Sequence, residues 1–344
     1  MPVTIKDVAR RVGKSITTVS RALNDYDDVS SETKALVRRV AAEMGYTPNR
    51  TAQRLQKRRS DTIGLVLPTY GPRFSDPFFS EFLAGIGNQT ADFGYDLLVS
   101  TRAPGDEEME AYRRKVQGRQ VDGLIVVRTR QQDPRVDYLR RIGFPFVAFG
   151  RVQGTLDFPF VDVDGEQGMR QLVRHLAEQG HRRIAYITPP SNLNFAQDRM
   201  AGFQAAMVEQ GLALDPSLVV EGELTHRSGY QQTQRLLALA DPPTAIVAGN
   251  DLMALGAMRA AQEIGLRVGA DIAIAGFDNI PMAEHAHPPL TTVDQPIYTI
   301  GRMLSAMLIR IIRQEEVGEQ QVLLQPSLVV RQSSGLVTQS KEGG

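Results

Sequence analysis

The chain has 344 residues, 39 Lys+Arg against 39 Asp+Glu, 42% hydrophobic residues and no cysteine. That leaves room for two or three domains and excludes disulfides, thiolate metal sites and a cysteine nucleophile. No apolar run approaches the ~20 residues a membrane-spanning helix needs, and the first residues hold Asp7 with no apolar stretch, so no secretory signal is read there. The zero net charge hides an asymmetry: residues 1–60 carry 13 basic and 6 acidic side chains, which leaves 26 and 33 for the rest. A basic head on an acidic body is the distribution expected of a nucleic-acid module joined to a separate domain.

In chain order, Thr4 caps a first helix that has Asp7 at its third position. Ile5, Val8, Ala9 and Val12 make one buried stripe, and Gly13 ends the helix and permits a sharp turn. Ser15 caps a second helix whose Val19, Ala22 and Leu23 point inward, leaving Ile16, Thr17, Ser20 and Arg21 outside. Thr17 and Arg21 are i, i+4 neighbours on one face. Two short helices around a tight turn, with a polar face left on the second, have the layout of a helix-turn-helix; a major groove admits such a helix, and Arg is the commonest bidentate reader of guanine there. Ser30 or Ser31 caps a third helix with the stripe Leu36, Val37, Val40, Ala41 and Met44, closed by Gly45. The segment 49–59 follows, with Asn49 as a cap and Ala52 and Leu55 on one face among Gln, Arg and Lys. It is too short to hold a helix alone, and the bland alternative is a basic tether.

From Thr62 apolar runs alternate with amphipathic stretches. Strands are expected at Ile63–Leu67, Asp96–Ser100, Gly123–Val127, Phe146–Phe149, Ile184–Ile187, Leu218–Val220, Ala245–Ala248 and Ile272–Ala275, with helices between them. Such alternation implies right-handed βαβ units and parallel sheets. The units are too many for one regular sheet, so two doubly wound lobes are expected, divided near residue 160, with Phe160–Asp164 starting the second. Pro288, Pro289 and Pro296 set off the segment 290–320, which crosses back so that a helix at Tyr298–Arg313 packs on the first lobe. Ligands in such sheets sit at the carboxyl ends of strands, which selects Tyr70, Thr101, Arg128, Arg151, Thr188, Asn250, Asp251, Asp278 and Asn279. Arg199, Asn250 and Asp278 offer paired or planar hydrogen bonds to adjacent hydroxyls, and Phe78, Phe79, Phe149 and Phe195 offer flat partners for sugar ring faces. For Asp251 helix capping is the competing reading, and for at least two of the four phenylalanines core packing.

The motifs TIKDVA, TTVSRALN, VSSETK and GYTPNRTAQRL, with AGNDLMALGAMRAAQEIGLRVGADIAIAGFDN and PPLTTVDQP further on, resemble the lactose-repressor (LacI/GalR) family of bacterial transcription regulators over roughly residues 3–335. Lys14 departs from the pattern, standing where the family usually has Val before the serine cap. The resemblance implies an all-α three-helix head (1–46), a hinge-helix linker (47–60) and an α/β body (61–340). The body consists of two doubly wound parallel-sheet lobes like those of periplasmic binding proteins, about 61–160 plus 291–320 and about 161–290 plus 321–340. It implies DNA contacts by Thr4, Ser15, Ile16, Thr17, Thr18, Ser20, Arg21 and Asn24, and by Asn49, Ala52 and Leu55 of the linker, with Leu55 as a minor-groove wedge. It implies effector contacts by Arg199, Asn250 and Asp278, and by Asp76, Phe78 and Phe79 in a run that reads otherwise as a Pro-started helix; strand-end position adds Arg128 and Arg151, and the need for a flat ring partner adds Phe195.

The function implied is that of a repressor in the bacterial cytoplasm, without a membrane partner. It binds a palindromic double-stranded operator as a homodimer under control of a small molecule, a sugar. Four-chain members carry a C-terminal leucine heptad, and this chain ends GLVTQSKEGG, which favours a dimer. Arg128, Arg130 and Arg151 leave a phosphorylated sugar open. The rivals are a cytoplasmic sugar-binding protein without operator specificity and a sugar-acting enzyme. Catalysis has little support: His175, His181, His226, His285 and His287 share no metal spacing, and no phosphate loop, dinucleotide fingerprint or nucleophile elbow is present. No cofactor and no metal are expected.

Overall fold

Among the described residues, three short helices form the first unit. In α1 (Ile5–Val12) the Thr4 amide and hydroxyl both donate to the Asp7 carboxylate, at 3.0 and 2.7 Å, and the helix stops at Gly13 in the left-handed conformation (φ 70°). The Ser15 hydroxyl caps α2 (Ile16–Leu23) by accepting from the Thr18 amide at 3.0 Å, and Ser30 caps α3 (Ser31–Glu43) in the same way. Val8, Val19, Ala22 and Val37 are fully buried between them, with Ile5, Val12 and Leu23 packed against that core. The computed structural model describes residues 3–46, 59–69, 76–154 and 157–335, and the chain divides into the units Met1–Ser60 and Asp61–Gly344.

The second unit holds two six-stranded sheets. The first contains β1 (Thr62–Pro68), β2 (Asp96–Arg102), β3 (Gly123–Val126), β4 (Phe146–Phe149), β5 (Phe160–Val163) and β11 (Gln321–Leu324), in the order β11-β5-β4-β3-β1-β2. The second contains β6 (Ile184–Thr188), β7 (Val219–Glu221), β8 (Ala245–Ala248), β9 (Ala273–Asp278), β10 (Thr291–Asp294) and β12 (Ser327–Val329), in the order β12-β10-β9-β8-β6-β7. All pairings are parallel except β10 with β12. Central strands such as β1 and β8 are buried along their whole length, as expected of parallel strands covered on both faces by helices.

The helices of the first lobe are α4 (Pro77–Asp92), α5 (Asp106–Gln117) and α6 (Pro134–Arg141), and those of the second are α7 (Gly165–Glu178), α8 (Asn194–Glu209), α9 (His226–Leu237), α10 (Asp251–Glu263) and α11 (Pro281–His285). The last helix, α12 (Ile297–Arg313), returns to the first lobe and packs on α4, β3 and β4. The two helices approach so closely that a Cβ on Gly85 would collide with the Tyr298 carbonyl, and one on Gly301 would lie 2.6 Å from the Phe82 carbonyl oxygen.

Three boundaries differ from the sequence expectation. Phe160–Val163 is not the start of the second lobe but β5 of the first sheet, paired with β4 and β11. Thr291–Asp294, expected in the first lobe, pairs with β9 of the second. The segment after residue 320 is shared, β11 going to the first sheet and β12 to the second. The chain therefore passes between the lobes after β5, after β10 and between β11 and β12. Each passage is only a few residues long and has no compositional mark, so the choice of sheet rests on pairing between strands far apart in sequence.

Candidate functional site

The carboxyl ends of both sheets open on one cleft that holds about 700 Å³ of space, part of it open solvent. Two topological switch points face it: β1 lies between β2 and β3 in the first sheet, and β6 between β7 and β8 in the second. Loops leaving such points diverge and make room for a ligand. Eight of the nine expected effector residues line this cleft: Asp76, Phe78, Phe79, Arg128, Phe195, Arg199, Asn250 and Asp278. The ninth, Arg151, is not among the lining residues. Its Nε donates to Asp162 at 2.8 Å and its Nη2 to Asp198 at 2.9 Å, so it stands behind Asp162, which does line the cleft.

The cleft's charges are held in pairs. Arg128 Nη2 donates to Asp76 Oδ2 at 2.8 Å, and Asp76 also caps α4 by accepting from the Phe78 amide at 3.2 Å. Burial pushes the Asp76 carboxyl up, and Arg128 works against it. Arg199 Nη2 lies 3.6 Å from Asp278 Oδ1, and its Nη1 donates to the Gly249 carbonyl. The Arg199 guanidinium sits 3.6 Å from the centre of the Phe277 ring and 4.7 Å from that of Phe195. This flat clamp fixes a side chain that otherwise has many rotamers. Among the described residues its buried Nε has no hydrogen-bond partner. Gln295 Nε2 donates to Asp278 at 2.6 Å, yet burial, only partly opposed by Arg199, raises the Asp278 carboxyl well above 3.8. Arg128 and Asp278 both have positive φ, 51° and 120°. Such strain costs on the order of 1–3 kcal/mol per residue and concentrates at ligand clamps.

The aromatic wall is built from α4 and β4. The Phe78 and Phe149 rings lie nearly parallel, 10° apart with centroids at 5.9 Å, and Phe79 meets Phe78 edge-on at 5.4 Å. Phe79 is 2% exposed and Phe78 9%, so these two also serve the core, whereas Phe149 and Phe195 are half-buried. Asn250 uses both ends of its amide within the protein: its oxygen caps α10 by accepting from the Met253 amide at 3.0 Å, and its nitrogen donates to the Leu224 carbonyl at 3.3 Å. The neighbouring Asp251 does not line the cleft. It accepts from the Ile280 amide at 2.9 Å and the Thr292 hydroxyl at 2.6 Å, tying the loop after β9 to β10. Burial pushes its carboxyl to about 6 against those two bonds.

In the head, Thr17 and Arg21 are exposed on α2, Ile16 is 45% exposed, and Thr18 and Ser20 are half-buried. Lys14, Ser15, Thr17, Arg21, Ser30 and Thr33 line a shallow polar concavity between the starts of α2 and α3. Ser15 spends its hydroxyl on the cap and on Thr18, and Asn24 turns its amide back to the Ser20 carbonyl at 2.8 Å. Arg21 donates through Nε to Asp28 Oδ1 at 3.0 Å, with Nη2 2.6 Å from Oδ2. Asn49, Ala52, Leu55 and Tyr70 lie outside the described residues.

Residues 4–49 match the model of bacterial regulatory proteins, lacI family, and residues 173–334 that of a periplasmic binding protein-like domain. The chain is 39% identical over 340 residues, 97% of its length and 95% of the relative's, to the HTH-type transcriptional regulator AglR of Rhizobium meliloti. The chain belongs to the lacI family of bacterial regulatory proteins. Another family member, the HTH-type transcriptional regulator CelR of Thermobifida fusca, is 35% identical over 96% of the chain and 98% of its own length. Among solved structures, the Lac repressor dimer bound to operator and the anti-inducer ONPF matches 98% of this chain and all of its own, at 32% identity and a TM-score of 0.85. A CelR–cellobiose complex matches 96% of this chain and 99% of its own, at 34% identity and a TM-score of 0.75. The chain is thus a family regulator with a helix-turn-helix head and a two-lobed α/β body.

The sequence reading of this family member missed Asp162, Phe277 and Gln295 in the cleft and Asp28 in the head. Phe277 reads as the end of a buried strand, and Gln295 as part of a proline-broken turn. For Gln295 the VDQP run beside the lobe crossing was the available signal.

Proposed function

We propose that this regulator is an operator-binding repressor whose effector is a neutral, unphosphorylated sugar held in the interlobe cleft. The observation that carries the reading is the pairing of charges. Arg128, Arg151 and Arg199 are each matched by a carboxylate, with Asp76, Asp162, Asp198 and Asp278 in attendance. The lining arginines, Arg128 and Arg199, face three lining carboxyls, Asp76, Asp162 and Asp278, which leaves no surplus positive charge for a phosphate. They offer instead the alternating donors and acceptors that adjacent hydroxyls need, beside aromatic faces for the apolar side of a ring. The unpartnered Arg199 Nε is a donor that a ligand oxygen would satisfy. The cellobiose bound to CelR supports the ligand class.

The Lac repressor structure is a dimer on operator DNA, which supports the same assembly here: one small head makes too few contacts for specific affinity, and two heads read a palindrome. A binding role rather than a catalytic one is supported by the relatives, which are regulators, and by the engagement of the cleft's acids with its arginines. A DNA operator as ligand supports a location in the bacterial cytoplasm.

The test is a melting-temperature series with cellobiose, maltose, trehalose and sucrose against glucose 6-phosphate and trehalose 6-phosphate. At least one neutral disaccharide should stabilise the body, by ~2.7 kcal/mol at 100 times its dissociation constant. Stabilisation by the phosphates alone would overturn the neutral-ligand reading.

A further inference from the structure

An acidic side chain beside a DNA-reading helix calls for an explanation, because a carboxylate near phosphates opposes binding. The turn between α2 and α3 carries three acids, Asp25, Asp27 and Asp28. Asp25 is engaged by Lys34 at 3.1 Å and Arg38 at 2.8 Å, both from α3. Asp28 reaches the other way, to Arg21 of α2, and takes both Nε and Nη2. Tyr26 completes the clamp, with its ring centre 5.2 Å from the Arg21 guanidinium carbon.

We infer that Asp28 is a positioning residue that orients Arg21 for guanine reading. This rests on the reading that α2 enters the major groove with Arg21 towards the bases. A guanidinium has two forks of donors. Asp28 occupies the side-on fork, Nε with Nη2, and so leaves the end-on fork, Nη1 with the second hydrogen of Nη2, as a rigid pair. Guanine presents O6 and N7 to such a pair. A long side chain that is already fixed loses less entropy when it docks. With side-chain exposures of 45% and 50%, the ion pair adds little to stability, so its consequence lies in where it holds the guanidinium. Asp28 thereby trades non-specific attraction to phosphate for discrimination at one base pair.

The experiment uses the full-length protein and needs no known operator. Binding sites are selected from a random duplex library with the wild type, Arg21→Ala and Asp28→Asn. Affinities are then measured for the wild-type site, for that site with single base pairs exchanged, and for random duplex at several salt concentrations. The wild type should select a G·C pair in each half-site that Arg21→Ala no longer prefers. Asp28→Asn should lose about tenfold or more of the discrimination at that same pair, keep the other positions, and bind random duplex more tightly at low salt. A change that merely disturbed the head would weaken both kinds of binding together. If Asp28→Asn keeps the discrimination, or gains specific and non-specific affinity alike, Asp28 is a competitor for Arg21 and the inference is overturned. If Arg21→Ala selects the wild-type site unchanged, the base-reading role of Arg21 fails first and the inference falls with it.

Discussion

The Asn194 amide donates to the Thr129 carbonyl at 2.9 Å, joining the start of α8 in the second lobe to the loop after β3 in the first. Beside it the Gln131 amide donates to the Asn192 carbonyl at 3.2 Å. This short stitch crosses from lobe to lobe next to Arg128, so the loop 128–131 both lines the cleft and links its walls. The loop is held from beneath by a buried ion cluster. Arg135, 1% exposed, donates to Glu108 at 2.6 Å and to both oxygens of Asp133, while Arg130 bonds the other Glu108 oxygen. Burial pushes the Asp133 carboxyl up, but the hydrogen bonds and charge of Arg135 outweigh it and leave it below its usual value.

Glu108→Ala should therefore be strongly destabilising. It strips a partner from a guanidinium with no route to water, a loss of about 3–5 kcal/mol. The denaturation midpoint of the body in urea measures it. A loss below 1 kcal/mol would show that the cluster does not anchor the loop.

Arg199→Ala and Asp278→Ala should each abolish the heat stabilisation conferred by the neutral sugar that the wild type accepts, while both proteins remain folded. Arg199 is clamped by Phe195 and Phe277, and Asp278 by Gln295, so each loss removes a preorganised contact rather than a mobile one. Full shifts in both variants, read by differential scanning fluorimetry, would move the binding site elsewhere.

Sugar affinity should fall as the pH is lowered through the raised Asp278 pKa, at higher pH than an ordinary carboxyl would allow. The sign follows from the chemistry. A sugar hydroxyl donates to the charged carboxylate, so binding is favoured above the pKa and lost as the group protonates. Burial places that pKa well above 3.8 in the ligand-free protein. Titration calorimetry from pH 8 down to pH 5 checks it, and Asp278→Asn should bind weakly with a flatter pH profile. A wild-type affinity that rises on acidification would contradict this role.

Thr17→Ala should reduce discrimination between the selected site and random duplex, with little change in low-salt binding to random DNA. Thr17 is exposed one helical turn before Arg21 on the same face of α2 and away from the core. Competition binding with unlabelled random duplex reads the ratio, and an unaltered ratio would remove Thr17 from the reading face.

The short-range features were legible in the sequence because their causes are short-range. Caps at Thr4, Ser15 and Ser30, the left-handed stop at Gly13 and the apolar stripes each depend on a few adjacent residues. The alternation of strands and helices placed Arg128, Asn250 and Asp278 at strand ends and Arg199 just inside a helix start, and strand ends in parallel sheets converge by geometry. Tertiary structure alone decided the rest. Whether β5, β10 and β11 joined one sheet or the other depended on partners far away in the chain. Arg151 looked like a ligand residue by position, but Asp162 claims it from the neighbouring strand β5 and Asp198 from α8 across the lobes. Arg21 is exposed on the outward face of α2, as the sequence suggested, and its contact with Asp28 across a turn was not legible there. Helix caps and periodicity are fixed by local sterics and hydrogen bonding; which carboxylate meets which guanidinium is fixed only once the elements have packed.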